Sequence, residues 1–389
     1  MFAFSVPEAK KGDKSADRKW NIGGRKKEQT KQVNAFSFVL LMGPAALLLL
    51  LPSLLLLFLL IRALLELIPV SRLDKRSVLI TGCDSGFGFD LALRCLGAGM
   101  RVFAGCLTQT GIQSLKKSAH EKGIAVELLE SFELDVTSDE SVAKALEFVE
   151  RKLGPGKGLH ALVNNAGISG NESWDDWLIP KDYDDVFQVN TLGTIRVTHA
   201  FKRLVKRERE SRIVIMASSC GRVALPTLGP YSVSKFAVEA YADIIRTELI
   251  LFGVKVAVIE PGFFRTPITN LDSGNAILEK IWARLPESTK QEYGPNFYKF
   301  CQNYLLFFLN PTRLNPPEMV VDAYWHAISS AWPRRRRQVG LDMHFFYWPV
   351  SMLCAEFQDL FFLLSTFIFR IPTPIGCSQR WHSPLAKTH

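Results

Sequence analysis

None of the seven cysteines stands in a Cys-x-x-Cys pair, and the set is odd and dispersed. That pattern excludes a disulfide framework and a zinc ribbon, and it reads as buried free thiols. His160, His199 and His326 are isolated and lack metal-ligand spacing, so no metal is expected. No GxGxxG loop and no solenoid-type repeat is present. Charge of either sign is missing from Ala35 to Ile61. A general excess of positive charge is missing too, although the formal net charge is +9. Residues 1–32 hold nine Lys/Arg against four acids, and Arg334 to Arg337 add four more. Those two patches account for the whole excess, so the rest offers no basic face and no nucleic acid is expected as a partner.

What is present is a globular composition with a membrane bias, 48% hydrophobic and 22% charged. The 389 residues suffice for one large α/β domain with appendages. Residues 1–34 read as a basic flexible tail. Residues 35–61 read as a transmembrane helix, since an uncharged apolar stretch of that length exceeds the roughly 30 Å of a bilayer core. Pro44 and Pro52 would kink it without forbidding it. The run is too long and starts too late for a cleaved signal peptide.

Beyond Asp74, short apolar runs alternate with amphipathic ones. Ser77–Thr81, Arg101–Gly105, a segment within Val126–Leu134, Ala161–Asn164, Arg212–Ala217 and Val254–Ile259 read as buried strands. Ser138–Leu153 carries apolar residues at helical spacing. Such alternation predicts right-handed βαβ crossovers and a doubly wound, Rossmann-type parallel sheet. Residues 277–330 read as helical, and 341–371 as a hydrophobic C-terminal helical extension. Glu356 and Asp359 interrupt the latter, so it reads as an interfacial helix or lid, or equally as ordinary core, rather than a second span. Arg334–Arg337 reads as solvated, with lipid head groups the alternative.

Four motifs carry chemistry. Thr81-Gly82-Cys83-Asp84-Ser85-Gly86-Phe87-Gly88 lies at the turn from first strand to first helix, where glycines and free helix N–H groups suit a pyrophosphate. Asn164-Asn165-Ala166-Gly167 follows the fourth strand, and strand ends line the ligand crevice in such sheets. Tyr231 and Lys235, four apart, share a helix face. A tyrosine needs help to act as acid or base at neutral pH, and a nearby ammonium or a cationic nicotinamide would give it. Ser218 lies thirteen residues before Tyr231, and Glu260-Pro261-Gly262 ends the sixth strand with Thr266 beyond.

Together and in this order, the motifs resemble the short-chain dehydrogenase/reductase family over residues 74–340. The resemblance implies Ser218, Tyr231 and Lys235 as catalytic trio and Asn190 as support for a proton relay. It implies a cofactor loop of Gly82, Ser85, Gly86, Phe87 and Gly88, with Asp135 at the adenine. It implies Asn164, Ala166 and Gly167 beside the cofactor and Pro261, Gly262 and Thr266 on its nicotinamide side, and it also gives Tyr231 and Lys235 cofactor contacts. TGCDSGFG, VFAGCLT, GVKVAVIEPG and IWARLP are similar to the branch of retinol dehydrogenases, NAD-dependent hydroxysteroid dehydrogenases and D-β-hydroxybutyrate dehydrogenase. No basic residue lies in the glycine loop or in Gly105–Thr108, and Asp84 would repel a 2′-phosphate, so NAD(H) is expected over NADP(H). The expected enzyme is membrane-anchored and acts on a lipophilic alcohol or ketone, steroid or retinoid. The alternatives are a 3-hydroxybutyrate-type dehydrogenase and a silent dinucleotide-binding protein. The expected location is the endoplasmic reticulum membrane, crossed once, with a mitochondrial membrane as the alternative. A homodimer is left open. Asn171-Glu172-Ser173 is a glycosylation sequon by pattern alone.

Overall fold

The computed structural model describes residues 44–264, 271–309, 315–368, 371–372 and 374–375. The predicted tail 1–34 and residues 35–43 of the predicted span lie outside these. The chain forms two units, Met1–Leu64 and Leu65–His389. Helix α1 begins at Pro44 in the first and runs through Pro52; its last two residues, ending at Glu66, fall in the second, beyond the predicted boundary at Ile61. Side chains of α1 are described from Leu50 onward, and among the described residues no helix is long and apolar enough to cross a membrane.

The second unit alternates as predicted. β1 (Ser77–Thr81), α2 (Gly86–Gly97), β2 (Arg101–Cys106), α3 (Gln109–Glu121) and β3 (Leu129–Glu133) form the first half. α4 (Asp139–Leu153), β4 (Ala161–Asn164), α5 (Pro180–Phe187), a π-helical turn (Gln188–Gly193) and α6 (Thr194–Arg207) follow. Then come β5 (Arg212–Met216), α7 (Gly229–Leu249), β6 (Lys255–Pro261), α8 (Leu271–Arg284), α9 (Glu287–Tyr293), α10 (Pro295–Leu309), α11 (Glu318–Ser329) and β7 (Arg336–Val339). Among the described residues the strands form one seven-stranded sheet, ordered β3-β2-β1-β4-β5-β6-β7. All its pairings are parallel.

Both sheet faces are covered, which is why the strands read as continuous apolar runs. Side chains still alternate between two cores. Val78, Ile80, Val102, Ala104 and Val214 enter one, while Leu79, Phe103, Ile213 and Ile215 enter the other. Strand order reverses between β1 and β4, the crevice position where doubly wound sheets bind ligands.

Packing adds two findings to the sequence reading. The strand β7 escaped the sequence reading because it is four residues long and begins with two arginines. Arg334–Arg337 is solvated only in part: Arg334 and Arg335 are exposed, whereas Arg336 and Arg337 are half-buried in the strand. Arg334 donates to both Glu66 oxygens at 2.7 and 2.9 Å, and Arg336 bonds Glu239, Asp243 and the buried Glu260. His160 is a buried structural residue. Its Nε2 donates to the Ile328 carbonyl at 3.0 Å and its Nδ1 accepts from Arg76, while burial, joined by Arg212, pushes its pKa down to about 2.

The C-terminal extension comprises a π-helical turn (Met343–Tyr347), α12 (Trp348–Ser351) and α13 (Ala355–Ile368). Met343, Tyr347 and Val350 pack with Cys220, Val223 and Leu225 beside Tyr231. Phe345, Met352, Phe357, Leu360 and Leu363 remain exposed. The segment is thus core on one face and open apolar surface on the other. A separate aromatic cluster ties α8–α10 to the loop after β4, with Trp177 at its centre against Trp282, Tyr293 and Phe297.

Candidate active site

The β1–α2 turn is built around backbone that only glycine accepts cheaply. Gly82 and Gly86 have φ of 69° and 62°. At Gly88 a Cβ would lie 2.4 Å from the Gly82 carbonyl oxygen and from Asn165 Nδ2. This lets the first turn of α2 press on the loop. Ser85 caps that helix without a side-chain bond, so its first N–H groups are unspent by a capping side chain. The loop is stitched to the one after β4. Asn165 Nδ2 donates to the carbonyls of Thr81 and Gly82 at 2.9 and 3.0 Å, and the amides of Asn165 and Ala166 both donate to Thr81 Oγ1 at 3.0 Å.

These loops open on a cleft of about 400 Å³. Gly82, Ser85, Gly86, Phe87, Asp135, Ala166, Gly167, Tyr231 and Lys235 all line it. Six predicted members do not line it: Gly88, Asn164, Asn190, Ser218, Pro261 and Gly262. Gly88 packs beneath the turn, and Asn164 is buried with its Nδ2 on Thr198 Oγ1 at 2.9 Å, so Asn165 is the asparagine facing the cleft. Pro261 and Gly262 end β6 but do not line this cleft; Gly262 packs against Asp342, which also accepts from the Phe263 amide at 2.6 Å. Thr266 lies outside the described residues.

Sequence reasoning missed Leu107, Thr108, Thr137, Ile168, Val189 and Met216 on the cleft wall. All but Val189, which lies in the π-helical turn, sit at or just after strand ends, which was the available signal. Asp84 also has a different job from the one expected. Its carboxylate accepts from the amides of Leu107 and Thr108 at 2.7 and 2.9 Å and from Thr108 Oγ1 at 2.8 Å. It therefore fastens the loop after β2. Asp135 similarly holds its own turn, accepting from the Thr137 amide and hydroxyl at 2.8 and 2.7 Å.

Tyr231 and Lys235 sit on α7, just after Pro230 in its first turn. Ser218 follows β5 in extended backbone and accepts from the Cys220 amide at 3.2 Å. Burial raises the Tyr231 pKa, Cys220 and Glu172 add to that, and a hydrogen bond with Ser218 opposes it without winning. Tyr231 thus rests as a neutral phenol. Lys235 lies beside the tyrosine: Nζ donates to the Met216 carbonyl at 3.0 Å and lies 5.4 Å from the Tyr231 ring centroid. Burial lowers the Lys235 pKa to about 8.

Asn190 lies in the π-helical turn, a distortion frequent at functional sites. Its Oδ1 accepts from the Ile168 amide at 2.9 Å, and its Nδ2 donates to the Ile168 carbonyl at 2.9 Å and to Ser234 Oγ at 3.0 Å. It thereby joins the loop after β4 to the helix bearing Tyr231. The cleft fits a dinucleotide: free helix N–H groups at its centre, no Cβ over the glycine turn, and an ammonium beside the tyrosine.

The family model for "short chain dehydrogenase" matches residues 76–275. The mouse protein "17-beta-hydroxysteroid dehydrogenase type 6" is 40% identical over 76% of this chain and 90% of its own. The rat "Retinol dehydrogenase 7" is 41% identical over 75% and 88%. The Caenorhabditis elegans "3beta-hydroxysteroid dehydrogenase dhs-16" is 41% identical over 72% and 73%. Among solved structures, a short chain dehydrogenase/reductase from Burkholderia phymatum in complex with NAD superposes with a TM-score of 0.59 at 22% identity. It covers 75% of this chain and 96% of that one, a likeness of fold. The chain belongs to the short-chain dehydrogenase/reductase family, on its retinol and hydroxysteroid dehydrogenase branch, and is an alcohol oxidoreductase using a nicotinamide dinucleotide.

Proposed function

We propose that this chain is a membrane-anchored, NAD-dependent dehydrogenase of a lipophilic alcohol, steroid or retinoid. The observation that carries the substrate class is the apolar wall at the catalytic tyrosine: Cys220, Val223, Leu225, Met343 and Tyr347 form one cluster with Tyr231 packed against it. Relatives named for steroids and retinol point the same way. A small hydroxy acid fits less well. Its carboxylate would need a cation, whereas the loop beside Tyr231 brings the charge of Glu172. A silent dinucleotide-binding protein has no chemical use for Ser218, Tyr231, Lys235 and Asn190 together.

Tyr231 exchanges the proton with the substrate oxygen, and Ser218 holds that oxygen by a hydrogen bond. Lys235 supplies positive charge at the same place. Asn190 fixes the loop that carries Ile168 and serves the proton's route outward. The bound nicotinamide supplies the hydride acceptor, or the donor in the reverse direction. NAD is preferred over NADP because a 2′-phosphate would find Leu107 and Thr108 with their amides spent on Asp84, and no Lys or Arg but Lys235 on the cleft wall.

The uncharged stretch from Ala35 to Ile61, behind a basic tail, supports a single-pass anchor in the endoplasmic reticulum membrane. The exposed apolar face of α12 and α13 supports contact of the catalytic unit with lipid. The test is NADH formation by membranes carrying the full chain, offered steroids, retinol and 3-hydroxybutyrate, with NADP in parallel. One lipophilic class should turn over with NAD. Tyr231→Phe should reduce that at least about a thousandfold while NADH still binds. Full activity in that variant refutes the mechanism.

A further inference from the structure

A buried ionic cluster beside the cleft has no part in the proposed reaction, and none of its side chains lines the cleft. Glu260, fully buried near the end of β6, sits at its centre. Its Oε1 accepts from Arg222 Nε and Nη2 at 3.2 and 2.8 Å and from Arg336 Nη1 at 2.7 Å. Its Oε2 accepts from Gln338 Nε2 at 2.7 Å. Arg336 also bonds Glu239 and Asp243 on α7. The cluster thus joins the segments that carry the reacting groups. Glu239 lies one helical turn beyond Lys235 and two beyond Tyr231. Arg222 lies at the far end of a short turn that Ser218 begins. Ser218 caps the single 3-10 turn Ser219–Gly221, and the Arg222 amide closes it on the Ser219 carbonyl at 2.9 Å. The Ala217 amide still donates to the Ile259 carbonyl at 2.9 Å, so the chain leaves the sheet at Ser218, next to the Glu260 end of β6. The turn is also pressed on α7. A Cβ on Gly221 would lie 3.0 Å from the Lys235 carbonyl oxygen and from Glu239 Cγ, and Cys220 packs in the apolar cluster that holds Tyr231.

We propose that Arg222 is a positioning residue for this reaction: by gripping Glu260 it fixes the turn that presents Ser218 to the substrate oxygen. This rests on the dehydrogenase reading and deepens it. A lone 3-10 turn has poor hydrogen-bond geometry and little rigidity of its own. Its far end is fixed by charge-assisted bonds to a carboxylate that Arg336 and Gln338 already hold still. Loss of that grip lets the serine drift, which costs rate rather than cofactor affinity, because neither Arg222 nor Glu260 touches the cleft. Arg222 is also the member of the cluster that can be removed safely. Its side chain is 31% exposed, and without it Glu260 keeps Arg336 and Gln338. Removing Arg336 instead would take a shared cation from Glu239 and Glu260 and would test folding more than positioning.

The experiment uses the full chain in membranes, with NAD and either retinol or a 17β-hydroxysteroid as the alcohol. Arg222→Met should lower kcat about tenfold or more with the Kd for NADH unchanged. Arg222→Lys, or millimolar guanidinium added to Arg222→Met, should recover part of the loss. Arg207→Met, which breaks the surface pair with Glu150, should leave kcat as it is. The deciding readout is a double-variant cycle. If Arg222 acts by placing Ser218, then Arg222→Met should cost less than about twofold once Ser218→Ala is present. A purely structural role would multiply the two losses, and that result overturns the proposal. So does an unchanged kcat in Arg222→Met, or a loss matched by weaker NADH binding. If the wild type turns over neither alcohol, the dehydrogenase reading fails, and the grip is read by hydrogen exchange of the NADH-loaded protein. Arg222→Met should then speed exchange in residues 217–223 and spare residues 77–81. Unchanged exchange in 217–223 would sink the role of Arg222 by itself.

Discussion

Replacing Gly88 by alanine puts one methyl group where the structure has none to spare. The new Cβ would lie 2.4 Å from the Gly82 carbonyl oxygen and 2.4 Å from Asn165 Nδ2. An ordinary contact needs roughly 3.4 Å, so about 1 Å must be found. A side-chain amide could yield, but the Gly82 oxygen is backbone, and it also accepts from Asn165 at 3.0 Å. The first turn of α2 must therefore move away from the glycine loop, taking its free N–H groups with it. Overpacking of this kind costs about 1–3 kcal/mol. Charged to cofactor binding, that weakens NADH by about 5- to 150-fold. Gly97→Ala is the control within the same helix: its Cβ meets nothing within 4 Å, so it should be neutral or stabilise by up to about 1 kcal/mol. NADH fluorescence titration with thermal melting of both variants reads the effect. Wild-type NADH affinity in Gly88→Ala would refute the steric reasoning.

Arg284→Met removes the cation that holds the buried Asp182, and with it the anchor of the loop bearing Asn171 and Glu172. Breaking a buried pair costs about 3–5 kcal/mol, but Arg284 is itself 35% exposed, so about 1–2 kcal/mol is expected. The urea midpoint should fall and KM should rise more than kcat falls; an unchanged KM would mean the loop is held otherwise. Because burial lowers the Lys235 pKa to about 8, its ammonium is present below that pH and lost above it. Oxidation should therefore lose kcat/KM as pH rises through about 8. Lys235→Arg should move that limb upward, and a wild-type profile flat from pH 7 to 10 would contradict the assignment.

Much of this was legible because parallel strands buried on both faces declare themselves as apolar runs. β1 and β4 have the predicted bounds, and β2, β5 and β6 differ by one residue or two. The strand β7 was hidden because its first residue, Arg336, is matched by Glu239, Asp243 and Glu260, distant in sequence and invisible to any local pattern. The glycine turn, Tyr231 and Lys235 were readable from spacing, since a turn and a helix face are local objects. The roles of Asp84 and Asn165 were not, because both act across strands.

Local pattern settles six of the seven strands, the glycine turn ahead of the first helix of the sheet domain, the helix that aligns tyrosine with lysine, and the uncharged stretch ahead of them. Each follows from periodicity or composition within a few turns of chain. Long-range packing settles which side chains share the cleft, that Lys235 turns to Met216, and that Asn190 ties the loop after β4 to the helix of Tyr231. Those are meetings between residues tens of positions apart. Their physical cause is the parallel crossover, which carries every strand's end to one edge of the sheet.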